Sequence, residues 1–245
     1  LICVGTATQT EVKEQIDLMY SLIHQQVDVI VLVPIDSKAL VQPAVEAVRK
    51  GIPVINIDIQ LDAQLLEQAG VEVAFVGPDN FAAAYEVGKL LGKKLRNEDK
   101  VAIIEGLAVA DNARQRKRGF IKAIEEKGLR LVASEPADWE TEKAAEVFQA
   151  MWMRYPDLKA VYCSNDAMAL GVLQQMQEKK CYLPVVGFDN DAVMKEFLST
   201  GKLVATADIF SSQMAVRGIE FALDVLEGRI ENRGVHSTAY EIIKQ

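Results

Sequence analysis

Residues 160–171, AVYCSNDAMALG, place an apolar run of strand character directly against helix-capping chemistry. Asn165-Asp166 supplies side-chain oxygens that accept hydrogen bonds from the first free amides of a helix, so the stretch reads as strand, turn, helix. The same rhythm continues outward in both directions. Upstream lie LICVG (1–5), DVIVLVP (28–34), IPVINID (52–58), VEVAFVG (71–77), KVAIIEG (100–106) and RLVAS (130–134). Downstream follow PVVGFD (184–189) and VATADI (204–209). Several of these runs are apolar nearly throughout, which is the pattern of parallel strands covered on both faces. Amphipathic stretches separate them: Val12, Ile16, Met19 and Ile23 mark one helical stripe, and Phe120, Ile121 and Ile124 another. Asp36-Ser37 offers a further N-cap, and Gly51, Gly128 and Gly201 follow helical patterns where left-handed C-caps form. The alternation predicts an α/β protein with a parallel sheet. Nine or ten strands fit one sheet, a barrel or two smaller sheets, and VGPDN (76–80) is a candidate break between them.

Composition narrows the function. The chain has 245 residues, 50% of them apolar, which excludes a disordered chain. The longest apolar runs, such as Val29–Pro34, are far too short to span a bilayer. With 27 basic and 35 acidic residues the net charge is −8, against a nucleic-acid binder that must neutralise phosphates. Two histidines and three cysteines (Cys3, Cys163, Cys181) without a CxxC pair leave little for a metal site or a disulfide framework. Cys3 and Cys163 lie in apolar runs and read as small buried hydrophobes. No G-x-G-x-x-G follows a strand, and there is no G-x4-G-K-[ST] and no G-x-S-x-G. His24 and His236 have no evident nucleophile partner, so nothing points to an enzyme or to a cofactor.

What the sequence does offer is polar residues at the carboxyl ends of predicted strands, where open α/β sheets bind ligands. Asp58 closes IPVINID, Asn165 closes AVYCSN and Asp189 closes PVVGFD. A carboxylate accepts two hydroxyl hydrogen bonds, and an Asn amide both donates and accepts. Trp139 and Phe188 add flat apolar faces suited to the C–H face of a sugar, and Arg114 adds a planar fork of donors. Each residue alone reads as a cap or a core aromatic. Together they point to a polyol-binding cleft.

In order along the chain, IPVINID, VGPDN, DNARQRKRGF (111–120), AVYCSNDAMALG, VVGFDN (185–190) and GKLVATADIFSSQMA (201–215) resemble the ribose/galactose-type periplasmic sugar-binding proteins. These are the soluble receptors of ABC importers, and the resemblance covers essentially the whole chain. It implies the type I periplasmic binding protein fold: two lobes, each a mostly parallel sheet flanked by helices, joined by three hinge crossings. The lobes implied are 1–78 with 210–238, and 79–209 with 239–245. The resemblance places Asp58, Arg114, Trp139, Asn165, Phe188 and Asp189 at the ligand, with Val33, Ile59, Pro78, Leu107, Asp208 and Ile209 as further pocket lining. The implied protein is a periplasmic or otherwise extracytoplasmic receptor, not an enzyme, with no cofactor and no metal. Its implied partners are a small sugar or polyol and an ABC transporter permease, with no nucleic acid and no membrane-embedded segment.

Val33, Ile59 and Ile209 stand where ribose-type members carry polar side chains. Each hydrogen bond lost to a buried hydroxyl costs about 1–3 kcal/mol, so the ligand implied is smaller or less oxygenated than ribose, or is held mainly by the C-terminal lobe. Family members also begin with a strand and helix ahead of the stretch matching LICVG. Their absence and the opening Leu1 lead to the expectation of a fragment of a longer protein, whose first sheet would otherwise expose an unpaired edge. The effector core of a sugar-responsive repressor and the sensor domain of a membrane receptor share this fold. VATADIFSSQMA and the terminal strand YEIIKQ resemble the transport receptors more closely.

Overall fold

Apolar runs become strands and amphipathic stretches become helices along most of the chain, of which the computed structural model describes residues 1–244. From the amino end come α1 (Val12–His24), β1 (Ile30–Leu32), α2 (Val41–Arg49), β2 (Val54–Ile57), α3 (Ala63–Ala69) and β3 (Phe75–Pro78). Next are α4 (Asn80–Gly92), β4 (Lys100–Glu105), α5 (Asp111–Lys127), β5 (Arg130–Pro136), α6 (Thr141–Arg154), β6 (Ala160–Cys163) and α7 (Asp166–Glu178). Then follow β7 (Val185–Val186), α8 (Lys195–Ser199), β8 (Leu203–Asp208), α9 (Ser211–Leu226), β9 (Val235–Thr238) and β10 (Glu241–Lys244). Contacts divide the chain into two units. The first holds Leu1–Pro78, Val109–Asn112 and Phe210–Thr238; the second holds Asp79–Ala108, Ala113–Ile209 and the residues from Ala239 onward.

The first unit is a parallel sheet in the order β1-β2-β3-β9. Alternate side chains of a strand point to opposite faces. Ile30, Leu32 and Val54 therefore join Met19 and Ile23 of α1 and Val41, Ala44 and Val45 of α2 in one apolar cluster. Val31, Ile55, Ile57 and Val76 meet Phe221, Ala222 and Val225 of α9 in another. Burial on both faces is why these strands read as unbroken apolar runs. Gly218 sets how closely α9 approaches, since a Cβ there would lie 2.7 Å from Ile57.

LICVG, expected as a strand, is not one. Leu1, Ile2, Cys3 and Val4 are exposed and outside any sheet. A strand is held by ladder hydrogen bonds and cross-strand packing, and among the described residues no strand pairs with this tract to supply either. Cys3 is accordingly an exposed thiol, whereas Cys163 is buried and Cys181 partly so, and all three are free.

The second unit is a sheet in the order β10-β8-β7-β6-β4-β5, antiparallel only at β10. Val101–Ile104 and Ala160–Cys163 are wholly buried in its centre. Helix α4 packs against β7, β8 and β10, α6 against β4 and β5, and α7 against α6. Five strands run in parallel, so the loops that follow β4, β5, β6, β7 and β8 gather at one edge of the sheet. Asn165 caps α7, its Oδ1 accepting from Met168 N at 2.9 Å. Asp36 does not cap α2. Its Oδ1 instead accepts from Lys38 N and Ala39 N in a turn that precedes the helix. Gly51, Gly128 and Gly201 end their helices with φ of +82°, +69° and +73°.

Candidate functional site

Arg116 is the centre of a polar cluster at the carboxyl edge of the second sheet. It lies on α5 and is 3% exposed. Its Nε donates to Asn80 Oδ1 at 2.9 Å and its Nη1 to Ser164 O at 2.8 Å. The same Nη1 lies 3.2 Å from Asp189 Oδ1. The guanidinium carbon sits 3.7 Å from the centroid of the Phe188 ring and 5.6 Å from that of Trp139. Burying a charge is costly unless it is paired and hydrogen-bonded, and this one is both, with an aromatic face beneath it.

Each partner is delivered by a strand end. Asn80 opens α4 after β3, Ser164 follows β6, and Phe188-Asp189 follow β7. Trp139 comes from the turn after β5, where Asp138 and Trp139 have φ of +52° and +70°. Its ring lies against Gly106, so close that a Cβ there would fall 2.0 Å from it. Asp189 and Asn190 adopt φ of +102° and +57°, and Asn190 Nδ2 donates to Asp208 Oδ2 at 2.9 Å. Beneath that turn, Asp166 is fully buried and accepts from Asp191 N and Thr206 Oγ1. Burial pushes its pKa up to about 8; the Asp191 amide opposes the shift and the Asp189 charge adds to it.

The first unit carries its own strand-end group. Asp58 follows β2 with φ of +62° and donates its N–H to Val76 O at 3.2 Å. Asn56, 1% exposed, holds this turn from within: Nδ2 donates to Ile59 O at 2.8 Å and Oδ1 accepts from Leu61 N at 2.7 Å. After β1, Gln15 grips the backbone twice, donating to Val33 O at 2.7 Å and accepting from Ile35 N at 2.8 Å. The Val33 side chain is exposed, whereas Ile59 and Pro78 are buried.

Trp139, Phe188 and Asp189 thus share Arg116 as a neighbour, and Asn165 adjoins the carbonyl that Arg116 holds. Phe188 gives its face to the guanidinium and is itself wholly buried. Arg114 is half-buried on the same helix, with Nη1 donating to Ala108 O at 3.2 Å near half-buried Leu107. Ile209 is 3% exposed at the end of β8. Arg116 did carry a signal in the sequence. Ala113, Arg116, Phe120, Ala123 and Ile124 are all buried and recur at spacings of three and four, so Arg116 lies on the apolar stripe of α5 and Arg114 off it. Among the described residues, no group of three or more His, Cys, Asp or Glu side chains is arranged to hold a metal ion.

A family model described as the periplasmic binding protein domain matches residues 1–230. The D-ribose/D-allose-binding protein of Pseudomonas aeruginosa is 40% identical over 248 aligned residues, which cover 99% of this chain and 78% of that protein. An ABC transporter solute-binding protein from Burkholderia multivorans, with an unknown ligand represented as α-D-erythrofuranose, superposes with a TM-score of 0.95 at 38% identity. That match covers all of this chain and 87% of the other. A periplasmic solute-binding protein from Actinobacillus succinogenes with bound D-allose gives a TM-score of 0.88 at 31% identity, covering 95% and 84%.

Proposed function

The chain belongs to the periplasmic binding protein family, and from that premise we propose that it is the solute receptor of an ABC importer, binding one small sugar or polyol between its two units. The observation that carries this reading is the Arg116 cluster: a buried guanidinium seated on Phe188 and paired with Asp189 at the edge where parallel sheets take ligands. A carboxylate accepts two sugar hydroxyls at once, and an arginine fork donates to ring or hydroxyl oxygens. In this reading Asp189, Asn165 and Trp139 contact the ligand from the second unit, and Asp58 contacts it from the first. Arg114 and Phe188 complete the contacts, and buried Arg116 supports them through Phe188 and Asp189. Val33, Ile59, Pro78, Leu107, Asp208 and Ile209 line the remainder, and the apolar members among them favour a ligand with fewer hydroxyls to satisfy.

Apart from the short excursion of Val109–Asn112, the chain passes between units at Pro78–Asp79, Ile209–Phe210 and Thr238–Ala239, and these three points are the proposed hinges. A sugar that touches both units binds the closed form better and shifts the population toward it. A permease then recognises the closed form outside the cytoplasm. Among the described residues no helix is long and apolar enough to cross a membrane.

The test is a thermal-unfolding screen against tetroses, pentoses, hexoses and inositols, with D-ribose and D-allose included. A ligand at one hundred times its Kd adds about 2.7 kcal/mol, or about 5–10 °C at this size. A rise confined to one stereochemical class is expected. A cooperatively unfolding protein whose Tm moves with none of them would overturn the reading.

A further inference from the structure

Phe188 and Asp189 ride on a turn that the backbone does not favour. Asp189 and Asn190 in succession take φ of +102° and +57°, a region that residues with a Cβ seldom enter. Such a conformation persists where its surroundings over-determine it. Here the surroundings are two buried side chains from other elements, Asp166 at the start of α7 and Thr206 on β8, neither with any exposed surface.

Their contacts form a chain. Asn190 N donates to Thr206 Oγ1 at 3.2 Å, and Thr206 Oγ1 donates to the Asp166 carboxylate at 3.0 and 3.1 Å. Asp191 N donates to Asp166 Oδ2 at 2.9 Å. Asp166 also binds the near side of the turn, its own N–H donating to Phe188 O at 2.7 Å. Gly187 makes room for the carboxylate, since a Cβ there would fall 1.9 Å from Asp166 Oδ1. Two polar side chains thus grip the two amides immediately after Asp189, and the Asp166 main-chain N–H holds the carbonyl immediately before it.

We propose that Asp166 and Thr206 are positioning residues of the sugar site, a clamp that holds the Asp189 carboxylate in its ligand-binding orientation beside Arg116 before any ligand arrives. The inference rests on the sugar-receptor reading of this site. Neither residue touches the sugar; both act through the turn. The clamp removes the cost of ordering the turn on binding, which is how preorganised sites gain affinity.

Thr206→Val deletes the hydroxyl while keeping the shape that packs into the sheet, and Thr206→Ser restores the hydroxyl. Two readouts are taken on each variant and the wild type: hydrogen exchange of the Asn190 and Asp191 amides in the ligand-free protein, and the Kd for D-allose and D-ribose by calorimetry. In Thr206→Val, exchange at these two amides is expected to quicken about tenfold and sugar affinity to fall about tenfold, as loss of one buried hydrogen bond implies. Thr206→Ser should return both close to wild type, and protection at Val161 and Ile103 in the centre of the sheet should not change. Wild-type exchange in Thr206→Val, wild-type affinity, or an equal loss of protection at Val161 and Ile103 would each overturn the clamp. The exchange readout needs no ligand, so it decides the clamp even where the wild type binds neither sugar nor any of the screen, an outcome that would overturn the receptor reading instead.

Discussion

Arg116 keeps a full positive charge where 3% of its surface meets solvent, so its neighbours must do what water does for an exposed arginine. Asp189, Asn80 and the Ser164 carbonyl share that work. Removing the guanidinium takes a partner from the buried Asn80 amide, the Ser164 carbonyl and the partly exposed Asp189 carboxylate. Arg116→Ala is expected to lower folding stability by about 3 kcal/mol. Arg114→Ala, two residues away and half-buried off the apolar stripe, should stay within about 1 kcal/mol. Urea unfolding of the two variants checks this, and equal losses would contradict it. Both arginines are plain in the sequence, but what separates them is helical phase: one lies on the apolar stripe and the other off it. Asp166 makes a second residue-scale prediction. Its carboxyl has an ordinary pKa of 3.8 and is raised to about 8 by burial, so the folded state keeps a proton that the unfolded chain releases. Its contribution to stability is therefore fully present below about pH 4 and is lost progressively as pH rises to about 8. Asp166→Asn should flatten that slope when Tm is followed between pH 5 and pH 8. An unchanged slope would show that Asp166 is not the group responsible.

Elements were legible where an apolar run coincided with burial on both faces. β2, β4 and β6 are of this kind, and each carries the run that predicts it. LICVG is as apolar as any of them yet forms no strand, because a run is only half of a strand and the other half is a neighbour to pair with. The reverse case is β9, whose VHST has three exposed residues of four and a polar composition. It is a strand because Phe75–Pro78 lies alongside it, which no local pattern reveals. Close approaches between elements are equally silent in the sequence until a glycine is seen against its surroundings. Gly171 lets α7 meet α6 where a Cβ would lie 2.0 Å from the Thr141 carbonyl, a backbone atom that cannot turn aside. Gly171→Ala should cost about 2–3 kcal/mol as the helices part. Gly51→Ala has open space around it and only the strain of φ +82°, and should cost about 1 kcal/mol. Thermal unfolding of the pair separates crowding from strain, and a smaller loss at Gly171 would contradict the packing argument. Gly106→Ala tests the seat of Trp139 in the same way. The indole ring must leave its bed, so its emission should change and stability should fall by about 2 kcal/mol, while unaltered fluorescence would count against that seat.

At the scale of the whole molecule, the fold class could be read from the alternation of strands and helices, and family membership from motifs spread along the chain. Their common ground is the strand end. IPVINID, AVYCSN and PVVGFD each finish on a polar residue because the carboxyl edge of a parallel sheet is where a backbone turn can present one. The conformations that aim those residues lay outside the sequence signal. Asp58, Asp189 and Asn190 take left-handed backbone without being glycine, and the anchors that hold them, Asn56 in one unit and Asp166 with Thr206 in the other, are polar residues in otherwise apolar surroundings. A pattern search for ligand contacts passes over such residues, since they face the interior. Whether the arrangement serves a sugar is decided most directly by titration calorimetry of wild type and Asp189→Asn, side by side, with the sugar that raises the Tm most in the screen. One sugar per chain for the wild type, with affinity at least about tenfold weaker in Asp189→Asn, is expected from losing a charged acceptor of sugar hydroxyls. Equal affinity in the two proteins, or no binding heat in the wild type, would contradict a sugar receptor built on Asp189.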